Sequence, residues 1–197
     1  MTNKSNNLYS KFIYIWIGQF FSIRGTGLTI FSLGVFVYQL TNTASNYVFI
    51  LMCAFLPPFL LKPYGGILAD RYDRRLMMVM GDLGASFGLL FIFIMMLRGN
   101  IQLWHIYFGI ATSSIFSAFQ DPAYKALITD ILPKEQYSKA SGLMQLASSA
   151  QYLISPFLAG ILLTILDIKF IFLIDVITCL FASSIVIWIR KSLDITS

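Results

Sequence analysis

A chain of 197 residues that is 57% hydrophobic and only 12% charged, with a mean hydropathy of +0.75, has more Phe, Ile and Leu than a soluble domain of that length can bury. Lipid must be the solvent for much of its surface. The formal net charge of +5 is carried by basic residues scattered singly between apolar runs, which makes no phosphate-tracking stripe; it suits loops facing anionic lipid and excludes nucleic acid as a partner.

Six apolar runs follow one another with short polar gaps. Residues 1–11 read as a polar cytoplasmic tail. The first span, about Phe12 to Leu40, is longer than the roughly 20 residues a bilayer requires, so tilt or a loose centre is expected. No small-residue cleavage site follows it, so it is expected to stay as an anchor. Its middle holds Gln19 and then Arg24-Gly25-Thr26-Gly27. Span two runs from about Tyr47 to Leu68, with Pro57-Pro58 inside and Pro63 near its end, and is expected to kink. The stretch Gly66-Ile67-Leu68-Ala69-Asp70-Arg71-Tyr72-Asp73-Arg74-Arg75 then closes span two and opens span three, about Leu76 to Leu97. Span four, about Leu103 to Ala126, carries Ser117 and Gln120-Asp121-Pro122. A polar loop around Leu132-Pro133-Lys134-Glu135-Gln136 reads as a turn opening a helix. Span five runs from about Gly142 to Leu166 and span six from about Phe170 to Ile189, ending in Arg190-Lys191 and a polar tail over 191–197.

Orientation follows from the basic residues. Lys4, Lys11, Lys62, Arg71, Arg74, Arg75, Lys125, Lys134, Lys139, Arg190 and Lys191 fall at one side, Arg98 and Lys169 at the other, and Arg24 lies between. By the positive-inside rule both termini are cytoplasmic, in a multi-pass protein of the cell membrane. The apolar runs lack period-two alternation, which excludes a β-barrel. Cys53 and Cys179 sit in apolar runs without metal-ligand spacing, so buried free thiols are expected and no metal or cofactor is. No nucleophile–base pair or phosphate loop appears, so no enzymatic function is expected.

Two charged places stand out physically. At the loop, Gly66 permits close helix approach, and Asp70 and Arg74 can pair or cap helix ends at the membrane edge. Arg24 at mid-membrane costs several kcal/mol unless it meets a cavity or a partner. Gly25 and Gly27 leave room around it, for an anionic substrate group, a carboxylate on a neighbouring span or a structural pair. Gln19, Ser117, Gln145 and Gln151 are polar positions that can line a cavity or bond between helices. Asp82 and Asp175 are ionisable residues in apolar runs whose surroundings the sequence leaves open.

The pattern G-x-L-A-D-R-x-x-R-R over Gly66, Asp70, Arg71, Arg74 and Arg75 resembles the loop between the second and third helices of major facilitator superfamily transporters. Val37-Tyr38-Gln39-Leu40-Thr41, Phe116-Ser117-Ala118-Phe119-Gln120-Asp121-Pro122-Ala123-Tyr124 and Leu173-Ile174-Asp175 resemble the branch with macrolide-efflux and enterobactin-exporter-type proteins. Gln151 to Gly160 is similar to the family's antiporter motif, with Ser155, Pro156, Ala159 and Gly160 at its end and Gln151, Ser155 and Ala159 in place of glycines. The resemblance implies an all-α membrane fold, the N-terminal six-helix half over 12–190, built from two inverted three-helix repeats. Pro63 to Leu68 echoes Pro156 to Leu162, as such repeats would. It implies proton-coupled efflux of hydrophobic small molecules such as macrolide-type drugs or siderophores. It also implies a latch, in which Asp70 meets a second half and Arg74 an acid on span four, Asp121; Asp73 stands where the general motif has Gly. A complete transporter of this class has about twelve spans. The chain is therefore expected to be a truncated product or an excerpt needing a second half, a homodimer, or alternatively a non-transporting six-span protein that associates with another transporter.

Overall fold

The computed structural model describes residues 2–194, with side chains described over 8–189. The side chains of Lys4, Arg190 and Lys191, and the end of the tail expected over 191–197, lie outside the described residues. Among those described, α1 spans Thr2–Thr41, α2 Ala44–Arg71, α3 Arg74–Leu97, α4 Leu103–Ile131, α5 Tyr137–Ile165 and α6 Ile168–Asp194, with a 3-10 turn at Lys134–Gln136 opening α5. There is no strand among them. The stretch read as an N-terminal tail is helical from Thr2, and α1 runs without a break through Arg24-Gly25-Thr26-Gly27. Likewise α2 continues past Pro57, Pro58 and Pro63. Five of the six helices are long and apolar enough to cross a membrane. The exception is α4, whose 29 residues suffice in length; its apolar run is interrupted by Ser113, Ser114, Ser117 and Gln120.

The turns have local causes. Asp73 accepts from the backbone N–H of Arg75 and starts α3. Asp167 does the same for Lys169 at the start of α6. Where α3 ends, Gly99 takes φ +71°, open to glycine without strain. The N-terminus of α4 is closed by the backbone N–H of Gln102 donating to His105 Nδ1 at 3.0 Å, a cap that also fixes His105 against the Trp104 ring.

Packing is between helices distant in sequence. α1 packs on α6, α5 and α2; α4 packs on α3 and α2; α3 also meets α6. One apolar core lies at the end where α2 hands over to α3, and joins Phe12, Met78, Leu127, Ala140 and Ile189. A second lies at the opposite end and joins Val37, Ile50, Ile92, Ile106 and Phe172. Between them runs a belt of buried polar side chains: Gln19, Ser22, Asp82, Ser86, Ser113, Asp175 and Ser183.

The helices close on this belt through small residues. A Cβ on Gly25 would stand 2.7 Å from Asp175 Oδ1 and 3.0 Å from Asp175 Cα, and one on Gly27 would stand 2.6 Å from Ser155 Oγ. The two glycines expected to leave room around Arg24 therefore let α6 and α5 come close to α1 instead. By contrast α2 and α5 present broad apolar faces outward, with Phe59 and Leu153 each 77% exposed.

Candidate functional site: a polar cleft over a buried carboxylate

At the end of α2 the chain turns with its charges outward. Asp70 is exposed, and its Oδ1 lies 3.9 Å from Arg74 Nη2; Arg71 is exposed as well. Arg75 follows on the first turn of α3, its backbone N–H bound by Asp73. Arg74 is drawn inward. Its Nε donates to the carbonyl of Ala69 at 3.1 Å and its Nη1 to the carbonyl of Ala126 at 2.9 Å, while Asp130 takes the same guanidinium as an ion pair. One side chain thus satisfies the Ala69 carbonyl, which lies among the last four of α2 and lacks an intrahelical partner, and ties it to the Ala126 carbonyl, which also accepts from Thr129. The acid expected to meet Arg74, Asp121, is not its partner. Asp130, nine residues further along α4, stands beside it instead. Gly66, expected at a helix contact, has nothing within 4 Å of a Cβ built on it; the contact belongs to Gly65, whose Cβ would stand 3.0 Å from the carbonyl of Ala118 on α4.

Asp121 is held by lysines from two helices. Lys62 Nζ on α2 lies 3.0 Å from its Oδ2, and Lys125 Nζ, one turn along α4, lies 3.2 Å from the same oxygen. These three residues border a cleft of about 360 Å³ between α1, α2, α4 and α5. Gln19, Ser117 and Gln151, proposed from sequence as cavity residues, all line it. Gln145 lines a second, adjoining cleft of about 270 Å³, with Gln19, Asp121 and Lys125 shared between the two. Ser117 donates back to the carbonyl of Ser113 at 3.0 Å, as hydroxyls on lipid-embedded helices commonly do.

Arg24 lines neither cleft. Its Nη1 donates to the carbonyl of Phe20 at 3.0 Å and its guanidinium carbon lies 3.1 Å above the centre of the Phe20 ring. It folds back along its own helix, a cation–π arrangement, rather than reaching a carboxylate or the cleft. On α5, Ser155 is fully buried and donates to the carbonyl of Arg24 at 3.4 Å. Ala159 packs with Leu28 and Ile171. Pro156 is half-buried, and Gly160 faces open space. In this stretch Gln151, Ser155 and Ala159, spaced by four, form the face that meets α1.

Sequence reasoning missed the floor of the cleft. Asp82 is 1% exposed and joins four helices. Gln19 Nε2 on α1 lies 3.5 Å from its Oδ2, Gln120 on α4 donates to its Oδ1, and Ser183 on α6 donates to its Oδ2 at 3.3 Å. Gln120 also donates to Gln19 Oε1 at 2.9 Å, so the two amides that face the cleft rest on one carboxylate. Asp175, fully buried, is the second acid. Thr26 donates to its Oδ1 at 3.4 Å, Cys179 approaches the same oxygen at 3.8 Å, and Ser22 meets Cys179 Sγ at 3.4 Å. Its Oδ2 has no hydrogen-bond partner among the described residues. Asp175, Cys179 and Ser183 fall at intervals of four on α6, and Asp82 and Ser86 do so on α3. That spacing of polar residues inside apolar runs was the available signal. Cys53 and Cys179 are both free, Cys179 buried and Cys53 half-buried.

Chemically, the cleft offers hydroxyls and amides for hydrogen bonding, three charges on one wall and a buried acid beneath two glutamines. Comparison with known proteins places this arrangement. The chain is similar to Macrolide efflux protein A of Streptococcus pyogenes, 29% identical over 187 residues that are 95% of this chain and 46% of that protein. It is 30% identical to Macrolide efflux protein A of Enterococcus faecalis over 71% of this chain and 43% of that one. It is 29% identical to the Multi-drug resistance efflux pump PmrA of Streptococcus pneumoniae over 81% of this chain and 39% of that one. The chain spans about half the length of the curated relatives it matches. The family profile described as Major Facilitator Superfamily matches residues 15–194, nearly the whole chain, and this protein belongs to that family.

Proposed function

We propose that this chain is one six-helix half of a proton-coupled exporter of small molecules, working against a second six-helix half or a second copy of itself, with both termini in the cytoplasm. The observation that carries the reading is the buried Asp82 under the cleft, with no cation against it among the described residues. A carboxylate at membrane depth that meets amides and hydroxyls rather than a base is a functional-site candidate, proton relay being one of the roles such groups serve, and Gln19 and Gln120 connect it to the space where a solute would sit. Names of relatives at 29–30% identity, macrolide and multidrug efflux proteins, support export of hydrophobic drug-like molecules; siderophores are a further candidate class that rests on the resemblance alone.

The sixth span is α4. It is as long as α5 and packs against both α2 and α3. Its polar face is turned to the cleft, where lipid does not reach. Exchanging each of α1, α2 and α3 for α4, α5 and α6 reproduces the packing: α1 on α5 and α6 becomes α4 on α2 and α3. Gly65 on α2 approaches α4, as Ser155 on α5 approaches α1. That exchange supports two inverted three-helix repeats. The outward apolar faces of α2 and α5 flank the cleft and are where a second half would rock, with the Asp70–Arg75 loop as the latch between them.

The test is co-expression with a second six-helix half, taken from a relative, in a bacterium lacking its own efflux pumps. Accumulation should fall for at least one class in a panel of anionic, neutral and cationic hydrophobic drugs and dyes, the fall should vanish when the proton gradient is dissipated, and Asp82→Asn should remove it. Unchanged accumulation with both halves present in the membrane would overturn the reading. Co-purification with an unrelated transporter and no efflux would favour the associating role instead.

A further inference from the structure

The charges on the cleft wall point to the kind of solute it takes. Asp121 is the one acid lining the first cleft, and it is shared by Lys62 and Lys125 through a single oxygen, Oδ2. Two ammonium groups against one carboxylate leave an excess of one positive charge on that wall. Each ammonium has three donors, and the structure shows one used by each. The lysines come from facing helices, α2 and α4, so a group placed between them is approached from both sides. Both stand inside their helices, Lys62 nine residues before the end of α2 and Lys125 six before the end of α4, and both side chains are exposed, so their free N–H groups are open to a solute. A separate observation points the same way. Tyr124 lines both clefts, is 5% exposed, and its hydroxyl has no hydrogen-bond partner among the described residues. A buried phenol without an acceptor leaves an O–H to give.

We propose that this cleft binds a solute bearing a carboxylate, held between Lys62 and Lys125 with the Tyr124 hydroxyl as a further donor, and discriminates against lipophilic cations. The site lies away from Arg24, where the sequence had suggested an anion contact. Glutamine and serine side chains along the remaining wall, such as Gln151 and Ser117, then suit the oxygen-rich body of such a solute. Its biological meaning rests on the exporter reading, but the binding itself does not require transport.

The matched probes are fluorescein, which carries a carboxylate, and rhodamine 123, a xanthene of similar size that is esterified and cationic. Binding of each to the purified full chain in detergent is followed by fluorescence anisotropy. Fluorescein should bind saturably and rhodamine 123 at least tenfold more weakly. Lys62→Gln and Lys125→Gln should each weaken fluorescein about tenfold, Tyr124→Phe about threefold, and Asp121→Asn, which releases the lysines, should tighten it. Rhodamine 123 binding as tightly as fluorescein, or fluorescein affinity unmoved by both lysine variants, would overturn the proposal. Both lysines are exposed, so either variant can be made without opening the core, and helical circular dichroism of each separates lost binding from lost fold. Efflux failing while fluorescein binding behaves as described would count against the exporter reading alone.

Discussion

The loop between α2 and α3 and the belt between the two apolar cores both place carboxylates beside donors, but they sit in different solvents. At the loop, Asp70 and Arg71 are exposed and water can replace any partner they lose. In the belt, Asp82 and Asp175 are 1% and 0% exposed, and their carboxylates reach side chains on other helices, Gln19, Gln120 and Ser183 for Asp82 and Thr26 for Asp175. The same residue type therefore does different work. At the loop, charge faces water and pairs at the surface; in the belt it fixes which helices meet. Only Arg74 bridges the two regimes, with its head on carbonyls of α2 and α4 and a carboxylate at the water edge.

The largest break should come where the belt is tightest. Gly25→Leu places a branched side chain where a Cβ alone would stand 2.7 Å from Asp175 Oδ1 and 3.0 Å from its Cα. Backbone cannot move aside as a flexible side chain can, so α1 and α6 must separate. The expected cost is at the upper end of overpacking, about 3 kcal/mol, read as loss of the monodisperse peak in detergent. A monodisperse Gly25→Leu protein of unchanged melting temperature would show that α1 and α6 do not cross here.

Next comes the carboxylate itself. Asp82→Leu leaves Gln19, Gln120 and Ser183 without their shared acceptor, at a cost of about 1–3 kcal/mol. Asp82→Asn keeps an acceptor oxygen and should cost less than half as much, seen as a smaller fall in thermal midpoint. The two variants separate structure from function: on the proton-pathway reading both abolish gradient-driven efflux, whereas on a purely structural role Asp82→Asn retains most of it.

Arg74 ranks third. Arg74→Ala removes donors from the carbonyls of Ala69 and Ala126 at once and should destabilise by about 1–2 kcal/mol. Lys at this position should recover little, because an ammonium is a point charge and cannot fork between two carbonyls and a carboxylate. Removing only the exposed acid, by Asp130→Asn, should cost less than about 1 kcal/mol. Equal losses from Arg74→Ala and Asp130→Asn would mean that the ion pair and not the carbonyl clamp holds the loop.

The same contrast explains what could be read from residues alone. Helices declare themselves because lipid tolerates little else, and the loop declares itself because its charges interrupt apolar runs. Gln19, Ser117, Gln145 and Gln151 were legible as cavity residues for the same reason: each is polar where lipid would reject it. What stayed hidden was direction. Arg24 carries the costliest charge in α1, yet turns along its own helix to Phe20, a choice of rotamer that no spacing encodes. Asp121 follows the motif that suggests a partner for Arg74, but α2 brings Lys62 to it first. Gly65 and Gly66 are adjacent and chemically identical; only the rotation of α2 decides which one meets α4.

The smallest effect on stability is the sharpest test of the loop. Gly66 meets nothing within 4 Å of an added Cβ and sits inside α2, where alanine is the better helix former. Gly66→Ala should therefore leave the melting temperature of the isolated chain unchanged or slightly raised, within about 0.5 kcal/mol. If the loop is a latch, the open space beside Gly66 is where a helix of the second half approaches, and the same substitution should slow efflux by the paired halves. A variant as stable as the parent and as active in the pair would leave Gly66 without a closing contact, and would shift the latch to Asp70 and Arg74 alone.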